Sequence, residues 1–60
     1  MDRNSLRPGA AYKEVASGDV HVVTSIGFHV VDRNEVVIHT PRGTTRVLVT
    51  PVDRFMKDYQ

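Results

Sequence analysis

From Val20 to Val30 every even-numbered position is apolar except Thr24, so Val20, Val22, Ile26, Phe28 and Val30 line one face of an extended segment. A period of two sustained over that stretch fits no helix and makes a β-strand the backbone of whatever this chain folds into. A strand of about eleven residues is longer than the usual five or six, and Gly27 is the expected place for a bend.

Turn residues divide the remainder. Leu6-Arg7-Pro8-Gly9 is a turn by composition and delivers the chain into a first strand over Ala11–Ala16, which Ser17-Gly18-Asp19 then reverses. A hairpin loop over 32–34, with Asn34 in the left-handed conformation, pairs Val31 with Glu35, Val30 with Val36 and Phe28 with Ile38, which keeps the even-numbered apolar set together. Val36–Thr40 is a third strand. Pro41-Arg42-Gly43 is a second tight turn, and a strand over Thr44–Thr50 sets Ile38 opposite Val47, Val37 opposite Leu48 and His39 opposite Arg46. Thr50-Pro51-Val52-Asp53 has the order of a helix start, and Val52, Phe55, Met56 and Tyr59 follow at i, i+3, i+4, i+7, a stripe that can close the open end of a sheet. Whether Tyr12 or Val15 faces inward depends on the length of the first hairpin loop and stays open.

Size limits the architecture. Sixty residues form one domain with a small core, and with no cysteine there is neither a disulfide to brace it nor a Cys-based zinc site. The expectation is a mainly β fold: four or five antiparallel strands in a small, SH3-like, partly open barrel with a short C-terminal helix, residues 6–60 forming the domain and 1–5 a flexible tail. The competing arrangement is a flat meander that buries one face against a second copy of itself. Hydrophobic residues at 40% and charged residues at 25% suit a folded chain. The polar start Met1–Ser5 has no apolar run behind it, so a cytoplasmic protein with no membrane partner is expected.

The order Leu6-Arg7-Pro8-Gly9-Ala10-Ala11-Tyr12, then Gly18-Asp19-Val20-His21-Val22-Val23, then Val47-Leu48-Val49-Thr50-Pro51-Val52-Asp53-Arg54-Phe55 resembles the small SH3-like domains of unknown function found in phage and prophage genomes, over roughly residues 6–59. The resemblance implies a fold and a genomic setting, that of a phage accessory protein able to inhibit or redirect a host factor. It carries over no catalytic residue, and the three histidines belong to no motif of that family.

The chemistry-bearing residues are few. His21, His29 and His39 all occupy odd positions, opposite the apolar set, and read as solvated strand histidines or as the beginning of a metal site; no metal or other cofactor is assigned. Asp19, His21 and Ser25 can share a face, but nothing supplies an oxyanion hole or an enclosing pocket, so neither catalysis nor a small-molecule substrate is expected. Arg33 and Arg42 at the hairpin tips, with Arg46 and Lys13, are candidates for a nucleic-acid patch, against the reading that they are ordinary solubilising charges. A formal net charge of +1 gives no global field to help them. Val23, Val31, Val37 and Leu48 fall on the face expected to be outward. A contiguous apolar patch there marks a protein interface, unless the helix or the N-terminal segment folds over it. The sequence thus points to a non-enzymatic protein-binding accessory module, acting on another protein or as a homo-oligomer, with a nucleic-acid-binding regulator as the alternative.

Overall fold

The computed structural model describes residues 3–60. A short 3-10 turn (Arg3–Ser5) precedes four strands, β1 (Ala11–Lys13), β2 (Val20–His29), β3 (Asn34–Pro41) and β4 (Leu48–Pro51), and one helix, α1 (Val52–Asp58). The strands form one antiparallel sheet in the order β1-β2-β3-β4, a meander, and α1 packs against β3 and β4. The protein is therefore mainly β, an open four-stranded sheet closed on one side by a single short helix.

The helix stripe does what its spacing predicts. Val52, Phe55 and Tyr59 are buried, Met56 partly so, and the Phe55 and Tyr59 rings stack at 4.1 Å between centroids. Tyr12 meets Phe55 edge to face, and Leu6 completes the cluster. The Tyr12 hydroxyl donates to the Ser5 carbonyl, and the Arg3 guanidinium forks onto both oxygens of Glu35. Arg3–Ser5, expected in a tail over residues 1–5, are thus tied to the domain; residues 1 and 2 of that expected tail lie outside the described residues. Tyr12 faces inward, while Val15 stays exposed.

The parity of the sheet differs from the expected one, for two local reasons. First, β2 carries a bulge: Val23 pairs with His39 and Ser25 with Ile38, leaving Thr24 as an extra residue, so the irregularity falls there and not at Gly27. Val23 and Ile26 have opposite parity, and only an extra residue between them lets both face the helix. Second, the β2–β3 loop is four residues, 30–33, with His29 opposite Asn34; Phe28 therefore pairs with Glu35 rather than Ile38. Arg33, not Asn34, takes the left-handed backbone (φ 54), and the Asp32 N–H donates to His29 Nδ1. The register shift turns the odd-numbered side of β3 toward the helix.

Two smaller expectations also change. The last strand begins at Leu48 rather than Thr44, because the Thr44 N–H and hydroxyl both bond the Pro41 carbonyl and hold residues 43–47 out of the ladder. The helix has no side-chain N-cap: the Thr50 hydroxyl bonds His39 instead. At the other end of the sheet, Lys13 and Gln60 exchange backbone hydrogen bonds and the Val15 N–H donates to the Asp58 carbonyl. The chain beyond α1 thereby covers the free edge of β1. Among the described residues the sheet's open edge is the four-residue β4.

Candidate functional site

Antiparallel partners share a face, so the register sorts every strand residue to one of two sides. On the helix side lie Tyr12, His21, Val23, Ile26, Val37, His39, Leu48 and Thr50. On the other side lie Lys13, Val20, Val22, Ser25, Gly27, Val36, Ile38, Thr40 and Val49.

Val23 and Val37, expected at an outward interface, are 1% and 0% exposed beneath α1, and Leu48 is half-buried on the same side. Covering by the helix is the reason: its aromatic stripe lands on the side of the sheet that holds them. Of that set only Val31 is freely exposed, at the β2–β3 tip beside the exposed Phe28 and Val30.

His21 and His39 are buried here, not solvated. Their Nδ1 atoms lie 2.9 Å apart, and His39 Nε2 lies 2.7 Å from the Thr50 hydroxyl oxygen. A short chain of hydrogen bonds results, in which one Nδ1–H donates to the other ring's lone pair and Thr50 closes the chain as donor or acceptor accordingly. Tyr59 packs edge-on against both rings and Phe55 against that of His39. Burial, and secondarily the neighbouring His21, hold His39 below its usual pKa, while Glu14 acts weakly in the opposite sense. Two imidazoles fall short of the three or four protein ligands of a zinc centre, and among the described residues no cluster of three His, Cys, Asp or Glu could hold a metal. The pair belongs to the packed layer between the sheet and α1. His29, the third histidine, sits apart on the opposite face at the hairpin tip.

The basic candidates are not brought together as a group. Arg33 and Arg42 lie at opposite ends of the eight-residue β3, about 25 Å apart along a strand. Lys13 pairs with Val20, and the Arg42 N–H donates to the Val20 carbonyl, so those two cations flank Val20 at one end of the sheet. Arg46 is on the exposed connection into β4. A groove of about 400 Å3 runs beside the helix start, lined by Met56 and Asp53 and by Arg3 and Glu35, which pair with each other across it.

The feature left without a partner is the face away from the helix. On it Val36 is buried, Val20, Val22 and Ile38 are half-buried, Val49 is 59% exposed, and Val47 on the approach to β4 is also exposed. Ile38 and Val36 lean over Gly27, 3.6 Å from where its Cβ would be, and so fill the gap it leaves. The strand positions on this face carry no charge between the Lys13 row at one end and His29 at the other. Counting both faces together would have revealed it: Val22-Val23, Val36-Val37-Ile38 and Val47-Leu48-Val49 are continuous apolar runs, the pattern of strands buried on both sides.

Among the described residues no helix is long and apolar enough to cross a membrane. Comparison with protein-family models, with curated proteins and with solved structures finds no match to this chain.

Proposed function

We propose that this chain is a non-enzymatic protein-binding module that docks through the uncovered face of its sheet. The single observation behind the proposal is the uncharged apolar face of Val22, Ile38 and Val49, set on a sheet whose other face is already filled by α1. Interfaces lose charge at their centre and keep it at their rim, as this face does with Lys13 and Arg42. The hairpin tip, with Phe28, Val30 and Val31, extends the same apolar character beyond the helix.

The finer architecture belongs to the same proposal. A small, partly open SH3-like barrel is supported by the Pro8-Gly9 turn leading to an inward Tyr12 and by the pairing of residues 58–60 on β1, which begins to close the sheet. An accessory role of the phage type, inhibiting or redirecting a host protein, goes with that family likeness and fits a domain with an uncovered apolar face.

A photo-crosslinking residue at position 49, compared with one at position 17 in the turn after β1, tests the reading in the producing cell. Protein adducts at 49 and not at 17 are expected; adducts to nucleic acid, or none at 49, contradict it. The second reading, a nucleic-acid-binding regulator, is favoured by Lys13 and Arg42 lying on either side of Val20. It predicts binding that weakens steeply with salt and is lost on replacing Arg42 and Arg46 by Ala.

A further inference from the structure

Two neutral imidazoles carry two N–H groups on four ring nitrogens, so the buried His21–His39 pair has a limited capacity for further protons. The 2.9 Å contact between His21 Nδ1 and His39 Nδ1 needs one hydrogen and one lone pair. The 2.7 Å contact of His39 Nε2 with the Thr50 hydroxyl is satisfied in either sense, because a hydroxyl both donates and accepts. One added proton therefore breaks neither bond. It takes a ring nitrogen outside the Nδ1–Nδ1 contact, and the remaining Nδ1 lone pair accepts a charge-assisted hydrogen bond. A second added proton fills that lone pair. Two N–H groups then face each other across 2.9 Å, on two positive rings whose centroids lie 5.0 Å apart in a packed layer.

What rests on the pair is the C-terminal segment. Tyr59 meets both imidazoles and Phe55 meets His39, and these two side chains stack on each other. α1 has seven residues and no side-chain N-cap, too short to persist without its packing. The backbone bonds from residues 58–60 to Lys13 and Val15 flank Tyr59 and hold only while it is seated. The middle strand β3, in contrast, is paired on both sides, with β2 and with β4. From β4 the pair faces the Thr50 hydroxyl. The other ionisable groups of the layer are Glu14 beyond β1, Asp19 before β2, and Asp58 with the Tyr59 hydroxyl at the end of α1. Burial and then His21 oppose charge on His39 more than Glu14 favours it. Burial, then Glu14, Asp58 and Asp19, hold the Tyr59 hydroxyl above its usual pKa, so it stays neutral throughout the acid range.

We infer that the His21–His39 pair is a two-proton latch on residues 52–60: one added proton leaves the helix seated, and the second releases it and uncovers the edge of β1. The test is an NMR titration of the wild-type chain from pH 7 to about 4.5, through the histidine range. Ring nitrogen shifts count the protons on each histidine, and hydrogen exchange reads the protection of single amides. The reporters are the Val15 and Gln60 amides, bonded between the C-terminal segment and the chain at β1, against the Val37 and Ile38 amides of β3. Protection at Val15 and Gln60 should persist while one ring is charged and fall about tenfold or more as the second takes its proton, with Val37 and Ile38 still protected. A loss that accompanies the first proton, or full protection with both rings charged, overturns the latch. Simultaneous loss at all four amides also overturns it, being plain acid unfolding, as does a segment that stays protected to the end of the titration. Replacing both histidines, His21→Leu with His39→Leu, should leave Val15 and Gln60 protected over the same range. An equal loss in that variant would assign the opening to carboxylates such as Glu14 and overturn the role of the pair.

Discussion

The two faces of the sheet invert the usual rule of polarity. The face under α1 holds two histidines and a threonine hydroxyl, and the face turned away holds valines and an isoleucine. What decides is satisfaction of hydrogen bonds and supply of apolar bulk, not polarity residue by residue. His21 and His39 bond each other, Thr50 takes the remaining nitrogen of His39, and no buried side-chain N or O among the described residues lacks a partner. With that cost removed, Phe55 and Tyr59 gain more by covering the histidine side, where Val23 and Val37 also lie, than the valine side offers.

The contrast can be broken most severely on the covered side. Phe55→Ala removes a ring with no exposed surface from the centre of the cluster, a loss of about 3–5 kcal/mol. In a domain of 60 residues that is most or all of the net stability, and thermal melts should show the variant largely unfolded at room temperature. Val49→Ala on the open side should shift the same melt by no more than about 0.5 kcal/mol in a monomeric sample.

Next in size is the histidine pair. His39→Ala leaves His21 Nδ1 and the Thr50 hydroxyl without their partner in a buried layer, a cost of about 2–3 kcal/mol. Replacing both histidines by Leu should cost less than the sum of the single changes, with a coupling of about 1–2 kcal/mol in a denaturation double-mutant cycle. Strict additivity would mean that the two rings do not depend on each other.

The pair also gives the fold a pH dependence whose sign is fixed. His39 is held below 6.5 by burial first and His21 second, so the unfolded chain takes up a proton at higher pH than the folded one. Stability is therefore full above about pH 6.5 and declines as pH falls below it, with a slope approaching 1.36 kcal/mol per pH unit for one proton, flattening once the folded group titrates. His21 from β2, Glu14 beyond β1 and the Thr50 hydroxyl are the polar groups around that ring. Urea titrations between pH 7 and 5 should show the decline in the wild type and a shallower one in His39→Gln. The smallest effect belongs to the β1–β2 turn, where Gly18 has φ 80 and open space around it: Gly18→Ala should cost about 1 kcal/mol through backbone conformation alone.

The elements were largely legible in the sequence, and the assignment of faces was not. Alternation from Val20, the turns at Gly18 and Gly43 and the stripe from Val52 to Tyr59 each follow from local spacing; β2, β3 and the helix lie close to where that spacing puts them, while β1 stops at Lys13 rather than Ala16 and β4 starts at Leu48 rather than Thr44. Face assignment depends on a parity count, and a parity count is reversed by one residue. Thr24 has nothing in its chemistry to announce a bulge, and a four-residue loop at 30–33 is as acceptable to Val30 and Val31 as a three-residue one. The mutual burial of His21 and His39 depends on two positions eighteen residues apart meeting across a ladder. The proposed interface moved with the parity, from Val23, Val37 and Leu48 to Val22, Ile38 and Val49.

Thiol accessibility tests the assignment of faces most directly, because the chain has no cysteine of its own. Val37→Cys and Val49→Cys, each probed with a thiol reagent under native conditions, differ only in the side of the sheet they occupy. Position 37 should stay protected, whereas position 49 should react freely. A reactive thiol at 37, or a protected one at 49 in dilute solution, would mean that the helix covers the other face.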